Sequence, residues 1–318
     1  MQPIKSLFTI LFAPLSAIYW VMTSVRNGCY AIGIFKSTSF DIPIITVGNL
    51  AVGGSGKTPM VEYLIRNLQD EYTIATLSRG YGRKTKGFRW VETNNSFKET
   101  GDEPLQIKTK FEHIAVAVSE DRVAGVKRIL AERPEINLIL LDDAFQHRAI
   151  KPSIQLLLST YSKPFYKDWL IPSGRLREPR AGAKRADTII FTKCPDSFSD
   201  LNWAGKVVFH SKIYYQKPEI EGSVYGFSGL ANNTPFEKYL ANSYKLIGFK
   251  GFSDHHSFTQ NELGNLIKAA KGATLVCTEK DWIKIKDLSG SENLRHITIA
   301  NKIEGKQDFL TWIKQELS

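Results

Sequence analysis

The run Ala51, Val52, Gly53, Gly54, Ser55, Gly56, Lys57, Thr58 constrains this chain more than any other feature. An apolar stretch, residues 41–50, precedes it, and helical spacing over residues 58–68 follows. Strand, glycine-rich turn and helix in that order make a P-loop, whose backbone N–H groups close around phosphates. The glycines permit the backbone angles that this closure needs. Lys57 and the helix start add positive potential, and the Thr58 hydroxyl is placed to ligate Mg²⁺. Ala51 replaces the first glycine of the strict pattern, a small residue that the loop tolerates.

A P-loop needs a second, acidic half. Residues 138–143 (LILLDD) supply an apolar strand ending in Asp142 and Asp143, the arrangement that holds Mg²⁺ beside the phosphates. Further strand-like runs at 72–77, 113–118, 154–158 and 188–191 alternate with helical stretches such as 122–133. That alternation predicts an α/β fold with a mostly parallel sheet covered on both faces. Residues 216–222 (QKPEIEG) mark a boundary, and strand-like runs at 224–227, 246–249, 274–277 and 296–299 follow it. The expected organisation is an N-terminal segment (1–40), a P-loop core (41–215) and a smaller α/β domain (223–318). A chain of 318 residues suits that division.

Two other P-loop classes fit less well. A GTPase needs an Asn/Thr-Lys-x-Asp guanine clamp, and Thr192-Lys193-Cys194-Pro195-Asp196 has one residue too many. Partitioning-type membrane ATPases carry a second lysine just before the paired glycines, where this chain has Val52. A membrane-attached ATPase that drives assembly remains the alternative function.

No charged residue occurs from Leu7 to Val25. Ile4, Leu7, Phe8, Leu11, Phe12, Leu15, Ile18, Tyr19, Met22 and Val25 recur at helical spacing, so one face is apolar. Pro14 and several hydroxyl residues favour a helix lying in the membrane interface over one that spans it, with Tyr19 and Trp20 near the headgroups. The formal charge of +10 suits nucleotide phosphates, a phosphorylated substrate or an anionic lipid surface. No RNP-type motif, zinc-finger spacing or basic recognition helix accompanies it, so nucleic acid is not an expected partner. Cys29, Cys194 and Cys277 lie far apart, form no metal-like or redox pair, and suit a reducing compartment.

The remaining polar clusters are SRGYGR (78–83), GDEP (101–104), EDR (120–122), DDAFQHR (142–148), GRLREP (174–179), DHH (254–256) and TEKD (278–281). Together with GNL-x-x-GG-x-GKTP, in this order, they resemble the tetraacyldisaccharide 4'-kinases, the lipid A 4'-kinases. The resemblance runs from the N-terminal helix to about Asp281. It implies a RecA-like P-loop core with a smaller C-terminal domain, acting with ATP and Mg²⁺ at the cytoplasmic face of a bacterial inner membrane. It also implies transfer of the γ-phosphoryl of ATP to the 4'-hydroxyl of an acylated glucosamine disaccharide 1-phosphate lipid. Ala144 departs from the family, which has glycine there, but leaves the proposed metal ligands intact.

A sugar hydroxyl is a poor nucleophile until a base accepts its proton. Asp102, which matches the GDEP aspartate, is the candidate, on a loop and without an arginine partner. His255 is the candidate to orient it, with His256 the second choice. Arg79, Glu103, Arg122, His147 and Arg177 are candidates for contacts to substrate or phosphate.

Overall fold

Strand β1 (Ile44–Asn49) is buried at every position, and the fold is built outward from it. The computed structural model describes residues 3–203 and 205–318, with side chains from Thr9 onward, so Ile4, Leu7 and Phe8 of the apolar helix face lie outside the described side chains. The strands that follow are β2 (Ile74–Ser78), β3 (Arg89–Trp90), β4 (Ala115–Val118), β5 (Leu138–Asp142) and β6 (Ile154–Thr160). Next come β7 (Thr188–Thr192), β8 (Val207–Gln216), β9 (Ser223–Ser228), β10 (Lys245–Gly251), β11 (Thr274–Thr278) and β12 (Leu294–Gly305).

Among the described residues these strands form one sheet, in the order β10-β9-β11-β12-β8-β7-β6-β1-β5-β2-β4-β3. Pairing from β8 through β6, β1, β5 and β2 to β4 is parallel. The α/β class and mostly parallel sheet expected from the sequence are therefore present. β3 and the β8–β12 pair run antiparallel. β12 pairs through its first residues with β11 and through its later ones with β8, so one long strand joins the two halves of the sheet. The sequence run at 296–299 captured only its middle, and β8 was not anticipated. Its burial is mixed, with Phe209, His210 and Ser211 buried in a row and both flanks partly or fully exposed, so it does not read as a continuous apolar strand.

The helices are α1 (Pro3–Ala31), α2 (Lys57–Leu68), α3 (Phe97–Thr100), α4 (Asp102–Lys110) and α5 (Arg122–Glu132), then α6 (Thr234–Ser243), α7 (Gln260–Ala270), α8 (Glu279–Ile285) and α9 (Phe309–Leu317). Met60, Val61, Leu64, Ile65 and Leu68 of α2 pack on one sheet face with Ile45 and Val47. Phe309, Trp312 and Ile313 of α9 enter the same core, so the end of the chain returns to the P-loop half. On the opposite face, Val126 and Ile129 of α5 pack against Ile44, Leu77 and Ile139.

Helix α1 is attached in an unusual sense. Its hydroxyl and amide groups face the protein: Ser16 Oγ donates to Leu170 O (3.1 Å), Tyr19 Oη to Arg177 O (2.7 Å) and Asn27 Nδ2 to Glu178 Oε2 (2.9 Å). Its apolar side points outward, with Leu11 70%, Ile18 58%, Met22 65% and Val25 61% exposed.

Gly48, in β1 just before the P-loop, carries no side chain because the loop after β5 crosses it. A methyl there would lie 2.6 Å from Phe145 Cβ and 2.8 Å from its backbone nitrogen. Gly48→Ala is expected to destabilise the protein by about 1–3 kcal/mol, the usual cost of overpacking. An unchanged denaturant midpoint would contradict this packing.

Candidate active site

β1 lies between β5 and β6, neither of which follows it directly in the chain. In such sheets ligands bind beyond the carboxyl ends of the strands at this reversal of order. The P-loop starts there. Asn49 Nδ2, buried at the end of β1, donates to Ala51 O (2.6 Å) and Ser55 Oγ (2.8 Å), which fixes the loop's shape. Val52 N–H donates to Arg175 O and Arg177 N–H to Leu50 O, so the GRLREP segment backs the loop. Gly53 and Gly56 take φ values of 111° and 83°, where a side chain would be strained. Helix α2 follows with no side-chain cap, which leaves its first N–H groups for an anion.

The acid pair lies beside Lys57. Its Nζ is 3.7 Å from Asp143 Oδ1, and Arg177 grips the same carboxylate with two contacts, Nη1–Oδ2 at 3.2 Å and Nη2–Oδ1 at 2.8 Å. Arg177 Nη2 also donates to Asn49 O (2.9 Å), so its two Nη groups are held by Asp143 and the loop base, while its buried Nε has no partner. Against the desolvation of burial, Lys57 and Arg177 hold Asp143 below the usual carboxylate range. Asp142 behaves oppositely. Burial first, then the charge of Glu103, pushes it up to about 7, and its Oδ1 is buried without a hydrogen-bond partner.

An orphaned buried carboxylate oxygen beside two further acids fits a cation. Among the described residues no group of three or more His, Cys, Asp or Glu holds a metal by itself. Mg²⁺ at Asp142, Asp143 and Thr58 would therefore complete its shell with nucleotide oxygens and water, as Mg²⁺ usually does.

Asp102 does not lie on a loop. Gly101, at φ 94° and ψ 153°, breaks directly into α4, and Asp102 is that helix's first residue. Pro104 is tolerated there because first-turn N–H groups have no intrahelical partner. Nor does Asp102 lack cations, although they are lysines. His255 Nδ1 meets its Oδ2 at 2.9 Å, and Lys280 and Lys284 Nζ lie at 3.8 and 3.7 Å. Against desolvation, the His255 hydrogen bond and the two ammoniums pull Asp102 down to about 2. That bond in turn raises His255.

Lys280 Nζ also reaches His255 Nε2 (3.2 Å). A lysine there donates, so Nε2 accepts and Nδ1–H faces Asp102. The choice between the two histidines is resolved by geometry. His256 turns away to Glu262 (3.0 Å) and stacks on Phe252. His255 sits at φ 55°, in the left-handed region, and Tyr81 of SRGYGR packs on its ring at 5.4 Å.

Glu103 is raised, by burial and then by Asp102, against the pull of Lys280 and Lys57. It thus belongs electrostatically to both the Asp102 cluster and the P-loop. Arg122, Arg79 and His147 form a separate basic group. Arg122 is buried on Ser119 O (2.9 Å) and Glu120 O (3.0 Å), and burial followed by Arg79 brings it down to about 10. Burial, then Arg122, takes His147 down to about 4, and its buried Nε2 has no partner. Arg79 is exposed at the rim.

Sequence reasoning did not assign Lys280, Lys284 or Asn49 to the site. Lys280 lay within the TEKD cluster, and Lys284 follows it by one helical turn on the same face.

The raised Asp142 generates a stability prediction. Its folded value lies above the ordinary 3.8, so ionising it costs folding energy. That cost grows as pH rises from about 4 and is complete above about 7. Asp142→Asn is expected to raise the melting temperature of the ligand-free protein at pH 8, by about 2–4 °C per kcal/mol relieved, and to do little at pH 4. Equal effects at both pH values would remove the electrostatic explanation.

The family model for Tetraacyldisaccharide-1-P 4'-kinase matches residues 8–318. A tetraacyldisaccharide 4'-kinase of Flavobacterium johnsoniae is 38% identical, covering 97% of this chain and 98% of its own. One of Cytophaga hutchinsonii is 39% identical over 90% of this chain and 88% of its own. The crystal structure of LpxK from Aquifex aeolicus, an "apo" form in complex with ATP, superposes with a TM-score of 0.82. It is 33% identical, covering 98% of this chain and 99% of that one.

Proposed function

The chain belongs to the tetraacyldisaccharide-1-P 4'-kinase family, and from that premise we propose how its cleft performs the reaction. The reaction is transfer of the γ-phosphoryl of ATP to the 4'-hydroxyl of tetraacyldisaccharide 1-phosphate, a step of lipid A biosynthesis. A P-loop ATPase that drives assembly is not favoured.

The single observation that carries the proposal is the 2.9 Å bond between His255 and Asp102, reached from opposite halves of the chain. In this reading the P-loop amides of residues 51–58 hold the triphosphate, and Lys57 meets the charge that develops on the transferring group. Mg²⁺ held by Thr58, Asp142 and Asp143 would neutralise the β- and γ-phosphates. Arg177 orients Asp143. The 4'-oxygen bonds to the γ-phosphorus as the bond to the β–γ bridging oxygen breaks, and the hydroxyl proton passes to Asp102. A carboxylate at about 2 is a weak base. In a loose phosphoryl-transfer transition state the proton leaves late, so orienting the hydroxyl matters more than base strength. Lys280 and His255 fix that orientation. Arg79, Arg122 and His147, with Glu103 nearby, are the proposed contacts for substrate and its 1-phosphate. Residues 223–318 then act as the smaller unit that delivers His255 and Lys280 to the core formed by 41–215.

We place the enzyme on the cytoplasmic face of the inner membrane through α1. Contacts from Ser16 to Asn27 tie this helix along the flank of the protein, which supports an interfacial position over a span. Its outward apolar side, joined by Ile10, Trp20 and Val21, would enter the headgroup boundary.

Kinetics and sedimentation test both parts. Asp102→Ala is expected to lower kcat by roughly 10²–10⁴-fold with little change in KM for ATP. His255→Ala should lose less, and the double variant should fall well short of the product of the two losses. Multiplicative losses would argue against a dyad. Leu15→Asp with Met22→Asp leaves the docked side of α1 intact and should weaken binding to anionic vesicles by at least about tenfold. Unchanged co-sedimentation would remove the helix as the anchor.

A further inference from the structure

The near-miss of a guanine clamp, Thr192 to Asp196, occupies a position that the reaction described so far does not use. Strand β7 lies two places from β1, on the side away from β5, and its carboxyl end meets the P-loop. Thr192 Oγ1 donates to Ser55 O at 2.8 Å. Lys193 follows at φ 58°, a left-handed conformation unusual for a residue with a side chain. The turn carries its side chain back over the loop, where a methyl placed on Gly54 would lie 3.6 Å from Lys193 Nζ. Among the described residues Lys193 makes no hydrogen bond or ion pair. Lys193 is exposed as a residue, and desolvation at its ammonium lowers its pKa, which Asp254 partly offsets.

The direction of the nucleotide follows from the acids. Asp142, Asp143, Glu103 and Asp102 gather on the β5 side of β1, where the γ-phosphate must meet them. The ribose and base therefore leave over β6 and β7. We propose that Lys193 forms one wall of the nucleoside end of the ATP site, its four-carbon stem lying on the adenine face and its ammonium pinned at the P-loop. A lysine stem offers apolar surface to a ring while its head stays polar, and the cation attracts the ring's π-face. Asp196, one residue out of register, does not complete a guanine clamp.

This inference rests on the ATP site proposed above, and the test separates the two. Lys193→Gly suits the left-handed backbone and removes the side chain without straining the turn. Calorimetric binding of ATP and of inorganic tripolyphosphate, both with Mg²⁺, is compared in wild type, Lys193→Gly and Lys57→Ala. Lys193→Gly is expected to weaken ATP about tenfold and tripolyphosphate less than twofold, with most of the kinetic loss in KM for ATP. Equal weakening of both ligands, or none for ATP, overturns the assignment. Tripolyphosphate binding that is insensitive to Lys57→Ala would instead overturn the P-loop reading, and this inference with it.

Discussion

One carboxylate, Asp102, gathers charged partners across the two halves of the molecule. It opens α4 in the P-loop half, and its partners His255, Lys280 and Lys284 all come from the other half. Lys284 is almost wholly buried, and among the described residues only Asp281 and Asp102 balance it. Removing one partner of such a set leaves an uncompensated buried charge, which costs several kcal/mol, about 3–5 in measured cases. The contact that holds Asp102 in the cleft therefore also ties the second half to the first, alongside the β8–β12 pairing.

Across the cleft the balance is reversed. Asp142, Asp143 and Glu103 crowd acid against acid, and Lys57 and Arg177 compensate only part of it. Asp142 has a buried oxygen with no partner and a pKa near 7. A protein optimised for stability alone would not keep such a group. It is the kind of cost that persists where a cation or a phosphate must be met. The two sides thus differ: the charge on Asp102 is met by His255, Lys280 and Lys284, whereas Asp142 keeps a buried oxygen with no partner.

Local chemistry decided what could be read from the sequence. The P-loop and the acid pair were readable because each is set by a few adjacent residues on a buried strand. The choice between His255 and His256 was not, since neighbours in a chain differ only in which way the backbone turns, here through a positive φ at His255. Asp102 was placed on a loop because glycine and proline flank it. Gly101 instead serves as the residue before a helix, and Pro104 falls within the first turn. Arg177 read as a candidate for substrate or phosphate contact, and its bidentate grip on Asp143, 34 residues away, lies beyond any local pattern. The apolar spacing of α1 holds for Leu11, Leu15, Ile18, Met22 and Val25, which are exposed, but Tyr19, expected near the headgroups, docks on the protein, and Ile10, Trp20 and Val21 are exposed as well. Ser16, Tyr19 and Asn27 decided which face meets the protein by docking the polar side.

In the proposed reaction the Asp102–His255 pair and the P-loop share one cleft, so that phosphate passes to a sugar hydroxyl and not to water. The direct measurement follows label from γ-labelled ATP in the presence of tetraacyldisaccharide 1-phosphate, scoring labelled lipid against free phosphate. One labelled lipid for each ADP formed, with little free phosphate, is expected. Label released as free phosphate while the lipid stays unlabelled would contradict it.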